Sequence, residues 1–270
     1  MGTYSNYYES SKLLHGSMMN IMGTRLDVLF LGAAQAEALQ IWSDMEEEVN
    51  RLDKMLNIYD KESELATINR EAVLSPVCVK DELWRILMDC QKYHQLTFGY
   101  FDISLKNFQK ISFNQENQTV FFQGETLQLD LGGYAKGYAL EKLRTILLAG
   151  KITQALINFG NSSVLALGAH PYGENWEIGI NDPYNPQKTI GTVELYDNTM
   201  STSGNMPQHD RHIINPHTGI YSEERKVVSV IAKNAIDAEV LSTALMVAGE
   251  EMKQEILSHF KIDKHVIFDL

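Results

Sequence analysis

Residues 130–150 read DLGGYAKGYALEKLRTILLAG and join the end of a strand, a turn and the start of a helix. The leucines of 127–131 alternate with polar residues, which is typical of a half-buried strand. The leucines of 140–147 then recur every three or four positions, which is the spacing of a helix face. This stretch therefore predicts a strand–turn–helix unit, and the rest of the chain is interpreted around it.

Two glycines, Gly132 and Gly133, lie at the junction of that unit. Glycines there let the backbone bend freely and bring its N–H groups close to a ligand. A helix N-terminus adds partial positive charge, so a phosphate is a natural guest, and Lys136 would strengthen its binding. An ordinary glycine turn explains the same residues. Because such turns are common, the glycines alone favour the ordinary turn.

The composition indicates a globular protein with an acidic surface. The chain has 270 residues, 44% of them hydrophobic, which is enough to bury a sizeable core. Its 23 Lys and Arg against 35 Asp and Glu give a formal charge of −12. This charge argues against a nucleic-acid partner, since such proteins rely on clustered cations. An anionic ligand would need local help from backbone N–H groups, a few basic side chains or a divalent metal.

Cysteine usage and hydropathy bear on location. Cys78 and Cys90 have no spacing typical of zinc or of a redox pair, and both suit a reducing compartment. The sequence shows no apolar run as long as a membrane span, and its first 20 residues lack the apolar core of a signal peptide. We expect a cytoplasmic protein as the sequence stands, and an exported one, periplasmic and lipoprotein-like, if a leader has been removed.

The remaining patterns predict an α+β fold. Residues 1–20 are polar and aromatic and predict an irregular arm, followed by a single domain over 21–270. Helices are predicted over 33–58, 81–97 and 235–247, and strands over 24–31, 117–123, 127–131, 155–159, 163–168, 176–180, 191–195, 198–203 and 226–232. The segments 117–123 and 127–131 read as a hairpin. Short connections between strands imply antiparallel pairing, and segregated helices imply a layered fold.

Three further stretches carry chemistry, and each leaves an alternative open. Tyr100, Phe101 and Asp102 follow a helix and would line a pocket, although aromatic residues more often anchor a loop. The histidines of 209–217 are not spaced as a zinc site requires. Glu239 and Thr243 share a helix face, and a carboxylate with a hydroxyl suits magnesium. On spacing alone, a surface or capping pair is the favoured explanation.

Together these stretches resemble the ApbE family, the flavin transferases that move FMN from FAD onto a protein threonine. The resemblance runs from about residue 22 to residue 249, and its markers appear in the family's order. They are MGT at 22–24, LNIYDKESELATIN at 56–69, YFD at 100–102, DLGGYAKGYALEKL at 130–143, INFGNSSVLALG at 157–168, STSG at 201–204, HIINPHTG at 212–219 and LSTALMVAG at 241–249.

The resemblance implies a T-fold-like α+β architecture of layered antiparallel sheets with packed helices. It also implies a magnesium-dependent transfer of FMN from FAD to a threonine of a partner flavoprotein, in some settings by peripheral association with a membrane flavoprotein complex. His212 or Asp102 would accept the hydroxyl proton. By motif position, FAD would contact Met22, Tyr59, Tyr100, Phe101, Asp102, Asp130, Lys136, His212 and Ile213. Magnesium would be held by Gly133, Glu239 and Thr243, with Ser242 alongside.

Three departures from the family's pattern bear on activity. The late-helix acid is Glu239, where the family usually has Asp, and magnesium tolerates little change in geometry. The family's Asp-Pro-Arg-Thr-Gly reads NPHTG at 215–219, which puts Asn215 and His217 in place of a carboxylate and a guanidinium. The connection 102–130 is shorter than usual. Two alternatives follow: an FAD-binding homologue with a degenerate metal site, and a magnesium-dependent FAD pyrophosphatase that gives FMN and AMP.

Overall fold

A computed structural model of the chain describes residues 2–124, 127–205 and 213–270. The described residues form six α-helices and fifteen β-strands. The helices are α1 (Gln35–Leu56), α2 (Glu64–Glu71), α3 (Asp81–Leu96), α4 (Ala135–Ala149), α5 (Ala235–Val247) and α6 (Glu250–Ser258). The strands are β1 (Gly2–Tyr8), β2 (Leu13–Ile21), β3 (Thr24–Leu31), β4 (Val77–Cys78), β5 (Ile111–Asn114), β6 (Thr119–Phe122), β7 (Gln154–Phe159), β8 (Ser163–Leu167), β9 (Trp176–Asp182), β10 (Asn185–Leu195), β11 (Thr199–Gly204), β12 (Ile214–Asn215), β13 (Ile220–Tyr221), β14 (Lys226–Ala232) and β15 (Ile262–Asp269).

An eight-stranded antiparallel sheet organises the molecule, in the order β1-β2-β3-β7-β8-β11-β14-β15. Every residue of β8 and of β14 is buried. This follows because α5 packs on one face of the central strands, while the β9–β10 hairpin shares an apolar cluster with β8, β11 and β14. The layered α+β architecture expected from the sequence is therefore confirmed.

Several elements begin and end at the residues that their hydrophobic patterns predict. The strand at 24–31 and the helix at 235–247 are found as predicted, and Asn234 caps that helix by accepting bonds from the N–H groups of Ile236 and Asp237, at 2.8 and 3.1 Å. No helix in the described part of the chain is long and apolar enough to cross a membrane.

The prediction of an irregular arm over residues 1–20 is wrong, because β1 and β2 are the first two strands of the sheet. Leu14 and Met18 point inward and are buried. Gly16 lies between them, and the ring of Trp42 fills the place of its missing side chain, 2.5 Å from where a Cβ would stand. The inward face therefore reads Leu-Gly-Met, and the glycine conceals the alternation.

The predicted hairpin of 117–123 with 127–131 is also wrong. β6 pairs with β4 and β5, while residues 127–131 form no strand. Their leucines are buried, as the alternation indicated. The side chain of Asn69 replaces a neighbouring strand: its amide group donates to the Leu129 carbonyl at 3.0 Å and its oxygen accepts the Leu129 N–H at 2.7 Å.

Helices α4 and α5 approach each other closely at Gly137. A Cβ at this position would lie 2.6 Å from the carbonyl oxygen of Ala235 and 3.0 Å from the Cα of Ile236. Both are backbone atoms, so they cannot move aside cheaply. The absent side chain at Gly137 thus lets α4 and α5 bring their own side chains together at the site described below.

We expect Gly137→Ala to destabilise the fold by about 1–3 kcal/mol, the usual cost of overpacking. This is expected although alanine favours helices over glycine by about 1 kcal/mol. The free energy of unfolding from denaturant titration measures the effect. Gly173→Ala is the control, since the nearest atom to its Cβ is at 3.6 Å, and it should change stability by less than about 0.5 kcal/mol. Equal effects of the two substitutions would contradict the close approach.

Candidate active site

A cavity of about 390 Å³ lies between α4, α5 and the ends of the central strands. Its walls come from the loop after α3, the glycine turn before α4, the β7–β8 turn, the end of β11, the segment from 213 to 216 and one face of α5. The lining residues are Tyr100, Phe101, Asp102, Leu105, Asp130, Gly132, Gly133, Lys136, Gly160, Ser162, Thr202, Ser203, Gly204, Ile213, Ile214, Pro216, Glu239 and Thr243.

One of the acids that line the cavity, Glu239, lies on α5, a helix with ten buried residues among its thirteen. Glu239 itself is only 4% exposed. A carboxylate in such a place must be paired and hydrogen-bonded. Its Oε2 accepts hydrogen bonds from Ser163 Oγ at 2.6 Å and Ser201 Oγ at 3.0 Å. The interpretation of Glu239 as a surface or capping residue is therefore wrong.

The other oxygen of Glu239 is paired with a cation. The ammonium of Lys136, in the first turn of α4, donates to Oε1 of Glu239. The same Nζ lies 3.4 Å from the carbonyl oxygen of Gly132. The Lys136 side chain is 19% exposed, so most of the pair is removed from water. Removing one partner of such a pair is strongly destabilising, because the remaining charge stays buried.

Glycine is required in this turn because a side chain would crowd neighbouring atoms, and not because the backbone has a positive φ. Neither Gly132 nor Gly133 is among the residues with positive φ. A Cβ on Gly133 would lie 3.0 Å from Thr243 Oγ1 and 3.4 Å from Phe101. The Gly132 N–H donates to Asp130 Oδ1 at 2.7 Å, so this carboxylate is turned toward the turn itself. The turn thus lies directly against α5.

The loop after α3 supplies the aromatic wall of the cavity. Phe101 is 3% exposed, and its N–H donates to Thr97 Oγ1 at 3.0 Å. Asp102 Oδ1 accepts bonds from the N–H and the hydroxyl of Ser104, both at 2.7 Å. The pocket and loop-anchor roles considered for this stretch both occur: Phe101 is an anchor that also lines the cavity, and Asp102 is a carboxylate fixed at its edge.

Met22 lies beside the main cavity, at the rim of a smaller depression that shares Gly132 and Lys136 with it. The β2–β3 turn holds Met22 at a φ of 47°, and its N–H donates to the buried Asp53 Oδ1 at 3.0 Å. Burial raises the pKa of Asp53, while the bond from Met22 acts in the opposite direction. Asp53 therefore fixes the position of this rim.

Besides Met22, two predicted site residues in the described part of the chain do not line the cavity. Tyr59 is 90% exposed and is not among the lining residues. Ser242 is fully buried behind Glu239, where its hydroxyl contacts those of Ser201 and Ser203. His212 lies outside the described residues, and Ile213, the next residue along the chain, lines the cavity.

The two family departures at Asn215, the last residue of β12, and at His217 have local roles. Asn215 Oδ1 accepts the His217 N–H at 3.0 Å, so the asparagine still closes the turn as a carboxylate would. His217 Nε2 lies 3.0 Å from the Phe98 carbonyl oxygen, and its ring centroid is 4.4 Å from that of Tyr100. His217 therefore supports the aromatic wall. In the shortened connection, residues 106–124 and 127–129 do not line the cavity.

Sequence reasoning missed the hydroxyl groups that hold Glu239. Ser163 begins the otherwise apolar strand β8, and Ser201 lies in β11, the neighbouring strand. The stretches INFGNSSVLALG and STSG contain both serines but single out neither. The available signal was a polar residue at a buried position of each strand, which requires a partner.

The donors at the cavity fit a hard divalent cation. Carboxylate, hydroxyl and carbonyl oxygens are the ligands that magnesium prefers, and Glu239, Thr243 and Gly133 supply one of each. The ammonium of Lys136 already stands among such oxygens, which shows that positive charge is accommodated there. In the described part of the chain, no group of three or more His, Cys, Asp or Glu side chains could hold a metal. Binding would therefore depend on neutral oxygens as well as on Glu239.

A family model and individual known proteins both relate this chain to flavin transferases. The model of a family described as the ApbE family matches residues 22–112 and 104–268. An FAD:protein FMN transferase from Chlamydia muridarum is 26% identical over 266 residues, which cover 84% of this chain and 81% of that protein. One from Klebsiella pneumoniae is 24% identical over 240 residues, with 75% and 74% covered.

Solved structures show the same fold. The flavin transferase ApbE from Vibrio cholerae matches with a TM-score of 0.81 at 20% identity, covering 96% of this chain and 97% of its own. The ApbE protein from Thermotoga maritima matches with a TM-score of 0.77 at 23% identity, covering 95% and 91%.

The raised pKa of Asp53 predicts a pH dependence of stability. Its folded-state pKa lies above the ordinary value of 3.8, so the fold binds this proton more tightly than the unfolded chain does. Wild-type stability should therefore fall, relative to Asp53→Asn, as the pH rises from 3.8 through the folded-state pKa, and then stay level. Denaturant titrations at a series of pH values measure the difference.

Asp44→Asn, an exposed change on the same helix, is the control and should leave the wild-type pH slope in place. A parallel pH course for wild type and Asp53→Asn would refute the prediction.

Proposed function

The chain belongs to the ApbE family, and from this we propose that it is a magnesium-dependent enzyme that transfers FMN from FAD to a threonine side chain of a partner flavoprotein. The observation that carries the proposal is the buried carboxylate of Glu239, which opens beside Thr243 and the glycine turn onto a cavity of about 390 Å³. A concave pocket with a few convergent polar groups is the usual form of a binding site.

The charge of the cavity supports the need for a metal. Its described lining carries three carboxylates, from Asp102, Asp130 and Glu239, and one ammonium, from Lys136. Three negative charges against one positive leave a formal charge of −2. The diphosphate of FAD is itself anionic, so these side chains alone would repel it. A divalent cation would cancel that formal charge, and its own charge would then attract the diphosphate directly.

Glu239, Thr243 and the carbonyl oxygen of Gly133 are the groups that would hold magnesium. When bound, magnesium supplies Lewis-acid neutralisation of the charge that develops on the diphosphate. The serines behind Glu239 keep its carboxylate oriented toward the cavity, because hydrogen bonds to Oε2 fix the side-chain rotamer.

In the proposed reaction, the threonine hydroxyl of the acceptor attacks the phosphorus of the FMN half. The bond from that phosphorus to the bridging oxygen breaks, and AMP leaves with that oxygen. The hydroxyl proton passes to a base, for which Asp102 and His212 are the candidates. The bonds from Ser104 all go to Oδ1 of Asp102, so Oδ2 is the oxygen that would take the proton.

The flavin ring is proposed to lie against Tyr100, Phe101 and Ile213, which give the cavity its apolar wall. Phe101 and Ile213 are buried and held by the fold, and His217 supports Tyr100. Flat apolar surfaces of this kind suit an aromatic ring system. The partners that follow from the proposal are FAD and an acceptor flavoprotein, including one in a membrane complex that the enzyme would approach peripherally.

The proposal predicts covalent flavin on an acceptor. With FAD, magnesium and a candidate flavoprotein, mass spectrometry should find the acceptor heavier by one FMN unit at a threonine, and a chelator should abolish the gain. Glu239→Gln should lower the rate by roughly 100-fold or more, as loss of one preorganised charged contact does. Glu251→Gln, at an exposed position in α6, is the matched control and should keep full activity.

The products distinguish this proposal from its alternatives. FMN and AMP released without any acceptor would identify an FAD pyrophosphatase. FAD that binds and is recovered unchanged would identify a binding protein, an outcome for which the pairing of Glu239 with Lys136 is the supporting observation. In that case Glu239→Asp should gain activity, since the shorter acid has the usual length for the family.

A further inference from the structure

Lys136 is paired with Glu239, the charged group that the proposed function assigns to the metal. Its Nζ donates to Oε1 of Glu239 and lies 3.4 Å from the Gly132 carbonyl oxygen. Thr243 lines the same cavity, and its Oγ1 would lie 3.0 Å from a Cβ on Gly133. The ammonium therefore stands among the same kinds of oxygen that a hard cation binds.

Lys136 is also the counter-ion of Glu239. The groups on Oε2, Ser163 and Ser201, are neutral hydroxyls that donate hydrogen bonds without supplying positive charge. Among the described residues that line the cavity, Lys136 is the one basic side chain. A buried carboxylate is stable only if its charge is compensated, so without a metal Glu239 depends on Lys136.

A divalent cation and the Lys136 ammonium cannot share Oε1 of Glu239 without strong repulsion. We propose that Lys136 is a resident counter-ion which magnesium must displace, and that the displaced ammonium then binds the diphosphate of FAD. This inference rests on the proposed function. It gives Lys136 two alternating partners, a carboxylate before the metal binds and a phosphate afterwards.

The identity of the acid follows from the same arrangement. Glu239 lies on α5 and Lys136 on α4, and the two side chains must span the space between their helices. The additional methylene of glutamate, compared with the aspartate usual in the family, extends the carboxylate further from α5. Lys136 and Glu239 are therefore matched, and the exchange of acid need not mean a lost metal site.

Displacement couples the two ligands of the site. Magnesium releases Lys136 for the diphosphate, and a bound diphosphate draws Lys136 away from Glu239. Each ligand thus strengthens the binding of the other, as linkage requires. Part of the intrinsic affinity for magnesium is used to break the ion pair, so the free protein binds the metal less tightly than its oxygen donors allow.

Magnesium titration of the FAD-free protein by calorimetry tests this inference. Lys136→Met removes the competing charge and keeps a long side chain, so it should bind magnesium more tightly than wild type, within the roughly 5- to 150-fold range typical of coupled sites. In metal-free buffer the variant should melt at a lower temperature than wild type. Adding magnesium should raise the melting temperature of the variant by more than it raises that of wild type.

Lys142→Met is the matched control. Lys142 lies on the same helix, is 37% exposed and pairs with Glu82 at 3.1 Å, away from the cavity lining. Its loss changes the net charge of the protein by the same amount, so it should leave magnesium affinity within about twofold of wild type. A comparable gain in both variants would show a general charge effect and overturn the displacement.

The double variant Lys136→Met/Glu239→Gln guards against a single variant that fails to fold. It removes both charges, so it should regain stability in metal-free buffer and show no stabilisation by magnesium. Equal magnesium affinity of wild type and Lys136→Met would refute the displacement while leaving the proposed metal in place. If neither binds magnesium, the metal part of the proposed function fails, and the inference fails with it.

Discussion

The structure depends on the burial of one carboxylate, that of Glu239, in the middle of α5. A charge at 4% exposure needs compensation from several directions. The compensation comes from β8, β11 and α4, through Ser163, Ser201 and Lys136. The order of the central strands and the packing of α4 against α5 can therefore be viewed as what makes this one ionised side chain tolerable.

Two absent side chains make that packing possible. At Gly137, α4 approaches the start of α5 so closely that a Cβ would meet the Ala235 carbonyl oxygen. At Gly133, the turn before α4 lies against the side chain of Thr243, whose Oγ1 would be 3.0 Å from a Cβ. Both glycines matter because they have no side chain at a close contact. The site is therefore formed mainly by the contact of α4 and its preceding turn with α5, and not by an unusual loop conformation. This is why a run of glycines beside a helix start was ambiguous in the sequence.

Much of the fold could be predicted, because hydrophobic alternation and helical spacing report directly on burial. The strand β3 and the helix α5 have their predicted bounds. The failures have local physical causes. At β2, Trp42 supplies the side chain that Gly16 lacks, and at 127–131 the Asn69 side chain takes the part of a strand. Such substitutions depend on residues distant in sequence, so periodicity does not reveal them.

The candidate site was predicted in its main residues, but their mutual contacts were not. The order of the motifs predicted that four charged residues belong to one site. All four line the cavity: Asp102, Asp130, Lys136 and Glu239. Order along the chain does not say which charges face each other, and here that decides the chemistry. While Lys136 is paired with Glu239, the described cavity lining offers an anionic diphosphate no unpaired cationic side chain, in a chain whose formal charge is already −12. On the proposed function, the metal therefore has two effects at one point: it adds its own charge, and it frees the charge of the lysine.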